Sequence, residues 1–173
     1  MDRPRDDSDN RDIRFLDQTE VEALLRAVPD DTLGRVRRTL YVCAAMSGMR
    51  RGELLALRWV DVDWSAQRIR VRRNYVEGHY GTPKTRRGSR SVPLADRLGG
   101  DLDLLYRQSA YQADHDLVFG NPHTGTPLNG NALLKAFQRD LKRAGVRQVR
   151  LHDLRHSFGT RMAAAGVPMR TLQ

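Results

Sequence analysis

His152 and Arg155 are the residues of this chain whose types and spacing best suit chemistry. They stand three apart in Leu151-His152-Asp153-Leu154-Arg155-His156-Ser157-Phe158, so on a helix they project from one side. An imidazole moves a proton near neutral pH. A guanidinium presents a planar fork of donors that matches phosphate oxygens. Fixed side by side, the two make a site for chemistry on a phosphodiester. Leu151, Leu154, Phe158 and Met162 form an apolar stripe on an adjacent side, which docks such a helix onto a core. The same pattern also describes a His and an Arg on a solvated or capping face. A zinc site is a further reading, because His152 and His156 are four apart, the spacing of a metal-ligand pair. Against zinc, Asp153 stands where His-Glu-x-x-His has its glutamate, and no clear third ligand follows.

Two upstream stretches bear on the choice. In Ser47-Gly48-Met49-Arg50-Arg51-Gly52-Glu53-Leu54 a glycine break puts Arg50 at a helix start, where backbone N–H groups favour an anion. Glu53, one turn on, can hold a guanidinium in place. The alternative is an ordinary helix junction with a surface arginine. The second stretch is Pro83-Lys84-Thr85-Arg86-Arg87-Gly88-Ser89-Arg90-Ser91-Val92-Pro93-Leu94. A hairpin tip this basic invites phosphate contact through Lys84, Thr85, Arg86, Arg87 and Arg90, and Lys84 can also give a proton to a leaving oxygen. Its alternative is a solvated basic turn.

Taken in order, these pieces resemble the tyrosine recombinases, also called phage integrases. That family carries a Gly-x-Arg-x-Gly-Glu-Leu segment, then a hairpin lysine before Ser-x-Arg-x-x-Pro-Leu, then a His-x-x-Arg helix. Here they are Gly48 to Leu54, then Lys84 with Ser89, Arg90, Val92, Pro93 and Leu94, then His152 to Arg155. Leu57-Arg58-Trp59-Val60-Asp61-Val62-Asp63 also looks like the family's exit from its first arginine helix. The resemblance runs from about Arg14 to Gln173 and implies a mainly α (α+β) catalytic domain with a small three-stranded antiparallel sheet. It implies double-stranded DNA as partner, a homotetramer on DNA for the full-length protein and a monomer in isolation. It implies strand cleavage through a 3′-phosphotyrosyl intermediate, with Arg50, Lys84, His152 and Arg155 catalytic, Glu53 and His156 supporting, and no cofactor or metal.

The departures also count. The family's site continues with a Leu-Gly-His or similar triplet and then the nucleophilic tyrosine. Tyr41, Tyr75, Tyr80, Tyr106 and Tyr111 all precede the His152 segment, so none matches the nucleophile. The expectation is a catalytic domain over 13–173 that stops short of its tyrosine, behind a disordered polar tail over 1–12 and without the family's N-terminal DNA-clamping domain. By itself such a chain is inactive. A non-catalytic basic DNA-binding module is the rival reading.

Composition sets the bounds. The chain has 173 residues, enough for one domain, and 39% of them are hydrophobic. Lys plus Arg number 30 against 21 Asp plus Glu, a net charge of +9, which favours an anionic partner. No apolar run is long enough to span a bilayer, and the charged start has no signal-peptide character. The single cysteine, Cys43, lies in an apolar helical run and belongs to the core. These features predict a cytoplasmic, non-membrane protein.

The positioning elements follow from periodicity. Asp17 and Glu20 make a capping box for a helix with Val21, Leu24, Leu25 and Val28 inward. A second helix is predicted over about 33–47, stopped by Gly48. A short third runs from about Arg50 to near Trp59. Alternation over 67–76 predicts one strand with an apolar face and a basic face of Arg68, Arg70 and Arg72. Glu77-Gly78 turns it into two short strands, about 79–84 and 89–93, completing a meander. Helices then recur around Leu98–Leu105 and Leu133–Leu141, the latter closed by Gly145, and the His152 helix is predicted to end at Gly166.

Overall fold

The computed structural model of the chain describes residues 15–82, 89–155 and 157. Helix α1 is Gln18–Ala27, and its start is fixed reciprocally. The Glu20 N–H donates to Asp17 Oδ1 at 2.8 Å and the Asp17 N–H donates to Glu20 Oε2 at 2.9 Å, satisfying two donors that a helix start leaves bare. Helix α2, Thr32–Ser47, begins at Asp31, whose carboxylate takes the Gly34 N–H at 2.6 Å. It stops because Gly48 turns left-handed, with φ 66°. Helix α3 is only Arg51–Leu55, followed by a single 3-10 turn over Trp59–Asp61, so the predicted helix to Trp59 breaks early. Helices α4, Asp96–Gln108, and α5, Gly130–Ala144, complete the described helices that have full bounds. The α5 start is capped by Asn129 and its end by Gly145 at φ 68°.

Helix α1 packs on α5 and α2 packs on α4. Leu24, Leu40, Leu98, Leu102, Phe137, Leu141 and Leu154 fill the seam between them. Each such side chain removed from water contributes about 1.5–3 kcal/mol. Tyr41 meets Phe137 edge-on, centroids 5.1 Å apart, and its hydroxyl donates to Asp140 Oδ2 at 2.9 Å. Arg37 and Arg143 reach the same carboxylate at 3.3 and 3.1 Å, so the buried Asp140 is compensated. Cys43 is fully buried, and burial pushes its thiol up to about 12. No helix among the described residues is long and apolar enough to cross a membrane.

The sheets differ from the predicted meander. Strand β1 is Val62–Asp63, β2 is Arg68–Val71, β3 is Asn74–Val76, β4 is His79–Gly81 and β5 is Arg90–Pro93. The three-stranded antiparallel sheet is β1-β2-β5, with Ile69 opposite both Val62 and Val92. A separate hairpin pairs β3 with β4 across Glu77-Gly78, both at positive φ. Among the described residues β4 and β5 belong to different sheets, so the predicted pairing of 79–84 with 89–93 is not found there. The single strand expected over 67–76 breaks at Arg72-Arg73. There the buried carboxylate of Asp61 draws Arg73 Nη1 to 2.7 Å and Arg72 Nε to 3.9 Å. Asp63 likewise takes Arg70 at 2.6 Å and Arg68 at 3.7 Å. The strand's basic face is thus largely neutralised by acids a few residues away.

Candidate active site

The site is built around the junction of α2 and α3. Gly48 lets the chain leave α2, and the Ser47 hydroxyl takes the Met49 N–H at 3.2 Å while donating to the Cys43 carbonyl. Arg50 then occupies the position just before α3, in extended backbone conformation. An arginine side chain cannot accept the N–H groups of the helix start, but the Glu53 carboxylate takes the N–H of Arg50 itself at 2.8 Å. Gly52 has a different reason. A Cβ at that position would lie 3.1 Å from the Tyr75 carbonyl oxygen and 3.3 Å from Val76 Cγ2, because β3 lies across the helix start. The same hairpin is tied to the far end of α3 by Arg58, whose guanidinium sits 5.6 Å from the Tyr80 ring centroid.

Glu53 is 8% exposed and gathers charge. Arg90, on β5, grips it with both arms, Nη1 to Oε1 at 2.8 Å and Nη2 to Oε2 at 2.9 Å. Arg50 Nη1 approaches Oε1 at 3.9 Å while keeping its side chain mostly exposed. Burial pushes the Glu53 carboxyl up, but the Arg90 hydrogen bonds, the Arg50 N–H and both arginine charges outweigh it, leaving it below the ordinary carboxylate range.

Arg155 arrives from the other end of the chain. Its pKa is lowered by burial first, then by the charges of Arg50 and Arg90, with Glu53 pulling the other way. The charges that act on Arg155 are thus two guanidiniums that repel it and one carboxylate that attracts it. A guanidinium stays protonated regardless. The helical turn bearing Arg155 is started by Asp153, which is 4% exposed and takes the Arg150 N–H at 2.7 Å. His152 lies in the same turn on the exposed side, and its carbonyl accepts the Arg155 N–H at 3.1 Å.

Of the residues singled out in the sequence, Arg50, Glu53 and Arg90 meet in direct contacts, Arg155 lies within reach of their charges, and His152 stands in the turn that carries Arg155. Lys84, Thr85, Arg86, Arg87 and His156 lie outside the described residues, as do the 1–12 tail and the predicted helix end at Gly166. Sequence reasoning missed the bidentate Arg90–Glu53 pair and the Asp153 cap. A signal for the cap did exist, because Arg150-x-x-Asp153 repeats the spacing of Arg50-x-x-Glu53 and of Arg58-x-x-Asp61, where the Arg58 N–H donates to Asp61 at 3.1 Å. Among the described residues no group of three or more His, Cys, Asp or Glu could hold a metal ion.

The five tyrosines all have places in the scaffold. Tyr41 is buried against Asp140, and burial with that carboxylate pushes its phenol pKa far up, away from nucleophilic character. Tyr75 and Tyr80 pack on each other in the β3–β4 hairpin. Tyr106 meets Trp59 edge-on, and the Tyr111 hydroxyl donates to the His123 carbonyl at 3.0 Å.

Residues 14–173 match the phage integrase family. The chain is 26% identical over 185 residues to a XerC-like tyrosine recombinase of Caldanaerobacter subterraneus, covering 90% of this chain and 46% of that protein. It is 31% identical over 167 residues to the prophage phiRv2 integrase of Mycobacterium tuberculosis, covering 92% of this chain and 43% of that protein. It therefore spans less than half the length of these two curated relatives. In fold it is similar to the Tn1549 transposon integrase solved with circular intermediate DNA, at TM-score 0.75 and 21% identity, covering 95% of this chain and 59% of that one. It is also similar to the lambda integrase catalytic core, at TM-score 0.65 and 18% identity, covering 92% of this chain and 88% of that one. With a family match over nearly its whole length and the fold of a recombinase catalytic core, the chain belongs to the phage integrase family, the tyrosine recombinases.

Proposed function

We propose that this chain is the phosphate-activating part of an enzyme that breaks and rejoins double-stranded DNA at specific sites. The observation that supports it is the pairing of Arg50 and Arg90 with Glu53, within reach of the Arg155 charge and with His152 in the turn that carries Arg155. In the reaction a tyrosine oxygen attacks phosphorus, forming a 3′-phosphotyrosyl bond and releasing a 5′-hydroxyl. A second 5′-hydroxyl reverses the step in a new partner, so the bond energy is retained. Charge develops on the non-bridging oxygens, and Arg50 and Arg155 are the groups to stabilise it. Lys84 protonates the leaving 5′-oxygen, and His152 handles the tyrosine proton or donates to the phosphate. The nucleophile is a tyrosine outside these 173 residues, since all five present serve the scaffold. The assembled enzyme acts as a tetramer on DNA.

The test is incubation with a nicked suicide substrate and denaturing electrophoresis. A polypeptide extended past Gln173 with a tyrosine-bearing helix should give a slow protein–DNA band, and the 173-residue chain should give none. In the extended protein Arg155→Ala should abolish the band yet keep most DNA affinity, since it loses a transition-state contact and only one phosphate contact among many. A band from the 173-residue chain would overturn the assignment of the nucleophile. Failure of the extended protein on every cognate site would overturn the enzyme and leave a DNA-binding module, the reading favoured if the engaged tyrosines are the whole story.

A further inference from the structure

We propose that Arg90 is a positioning residue that acts through Glu53, holding the Arg50 end of α3 in place, and not a contact to DNA. The inference rests on the strand-cleavage reading for its meaning but on local geometry for its support. Both guanidinium arms of Arg90 are spent on Glu53, at 2.8 and 2.9 Å, in the parallel fork geometry that fixes orientation as well as distance. Glu53 in turn takes the Arg50 N–H at 2.8 Å, so Arg90, Glu53 and the Arg50 backbone form one chain of hydrogen bonds from β5 to the start of α3. The β2 strand backs this chain, because Arg90 pairs with Val71 in the sheet and its backbone cannot drift. Exposure separates the two arginines: Arg50's side chain is 64% exposed and Arg90's is 27%. The first is presented to a ligand, while the second is turned into the protein.

The arrangement also sets the charge of the site. Glu53 is gripped by Arg90 and only loosely approached by Arg50, at 3.9 Å, so most of the charge of Arg50 and that of Arg155 remain as the excess positive charge. Removing Arg90 would let Glu53 swing to Arg50 and compete with phosphate for it.

Two measurements decide the matter. In the 173-residue chain the Glu53 carboxyl is titrated by carbon-detected NMR in the wild type, Arg90→Lys and Arg90→Gln. The wild-type midpoint should lie below the ordinary value of about 4.3, and in Arg90→Gln it should rise, because burial is then opposed only by the Arg50 N–H and the Arg50 charge. A midpoint unchanged in both variants would overturn the proposal. In the extended, adduct-forming protein, single-turnover cleavage is compared for Arg90→Lys, Glu53→Gln and the double variant. Each single change should slow cleavage about tenfold, and the double should be no slower than the worse single. Losses that multiply to about a hundredfold would mean that Arg90 touches phosphate itself, and would overturn the proposal. Absence of any cleavage by the wild-type extended protein would sink the enzyme reading alone, and the titration would still decide the role of Arg90.

Discussion

At Glu53 two opposing effects meet on one carboxyl. Burial disfavours its charge, and the Arg90 fork, the Arg50 N–H and two arginine charges favour it more strongly, so the folded pKa is depressed. A depressed carboxyl pKa contributes stability that is fully present above the unfolded value, about 4.3, and is lost as pH falls through the folded value. Glu53→Gln should therefore destabilise the chain near neutral pH by on the order of 2 kcal/mol, since it leaves Arg90 without its ionic partner. The gap between variant and wild type should narrow as pH is lowered from about 6 to about 3, past the carboxyl's unfolded value of about 4.3 and toward its depressed folded value. Urea unfolding midpoints at the two ends of that range check this, and a gap that stays constant would show that Glu53 does not titrate as the geometry requires. The pairing of Glu53 with Arg90 was not legible in the sequence. A carboxylate thirty-seven residues from an arginine carries no local pattern, and the two meet only through the packing of α3, which bears Glu53, near β5, which bears Arg90.

The elements were read more easily where the signal is local. The Asp17 and Glu20 capping box, the glycine stops at Gly48 and Gly145, and the helices on either side of them follow from residues within one or two turns of each other. A small three-stranded antiparallel sheet is present as expected, but its strands are not the expected ones, because alternation marks a strand without saying which strand it pairs with. The Arg72-Arg73 break depends on Asp61, which belongs to a different element. The two glycines of the Arg50 segment fail differently when replaced, and this tests the element. Gly48→Ala should cost about 1 kcal/mol through the left-handed backbone alone, leaving the hairpin unmoved. Gly52→Ala forces a methyl against the Tyr75 carbonyl and should cost about 1–2 kcal/mol. Its amide chemical-shift changes should concentrate in β3, β4 and α3. Equal shift patterns for the two variants would show that the close approach of β3 is not what Gly52 serves.

For the whole molecule the net charge of +9 is distributed less evenly than composition suggests. Arg68, Arg70, Arg72 and Arg73 face Asp61 and Asp63, and Arg97 and Arg147 are engaged by Glu22 and Glu20. Binding to DNA should then depend most on the Lys84, Arg86 and Arg87 segment and on the site arginines. Affinity for unrelated duplexes should fall steeply with salt. Arg86→Ala with Arg87→Ala should lower the log–log salt slope by about 0.9 for each phosphate no longer neutralised, equally for unrelated sequences, because phosphate contacts position and do not specify. Replacing Arg68 and Arg70 should change the slope far less. Titration of a fluorescent duplex at several salt concentrations measures both, and an equal effect at the strand would place the DNA on a different face.

The burial of Cys43 turns the chain into its own clock. A thiol with its pKa near 12 and no exposed surface is inert to an alkylating reagent while α2 stays packed. Labelling can proceed only when that helix opens, so the rate at fixed reagent counts openings of the segment that ends at the Arg50 junction. Because Cys43 is the chain's only cysteine, one mass shift reports one event. A duplex that closes on Arg50 and Arg155 should slow the clock by the factor with which it favours the closed form.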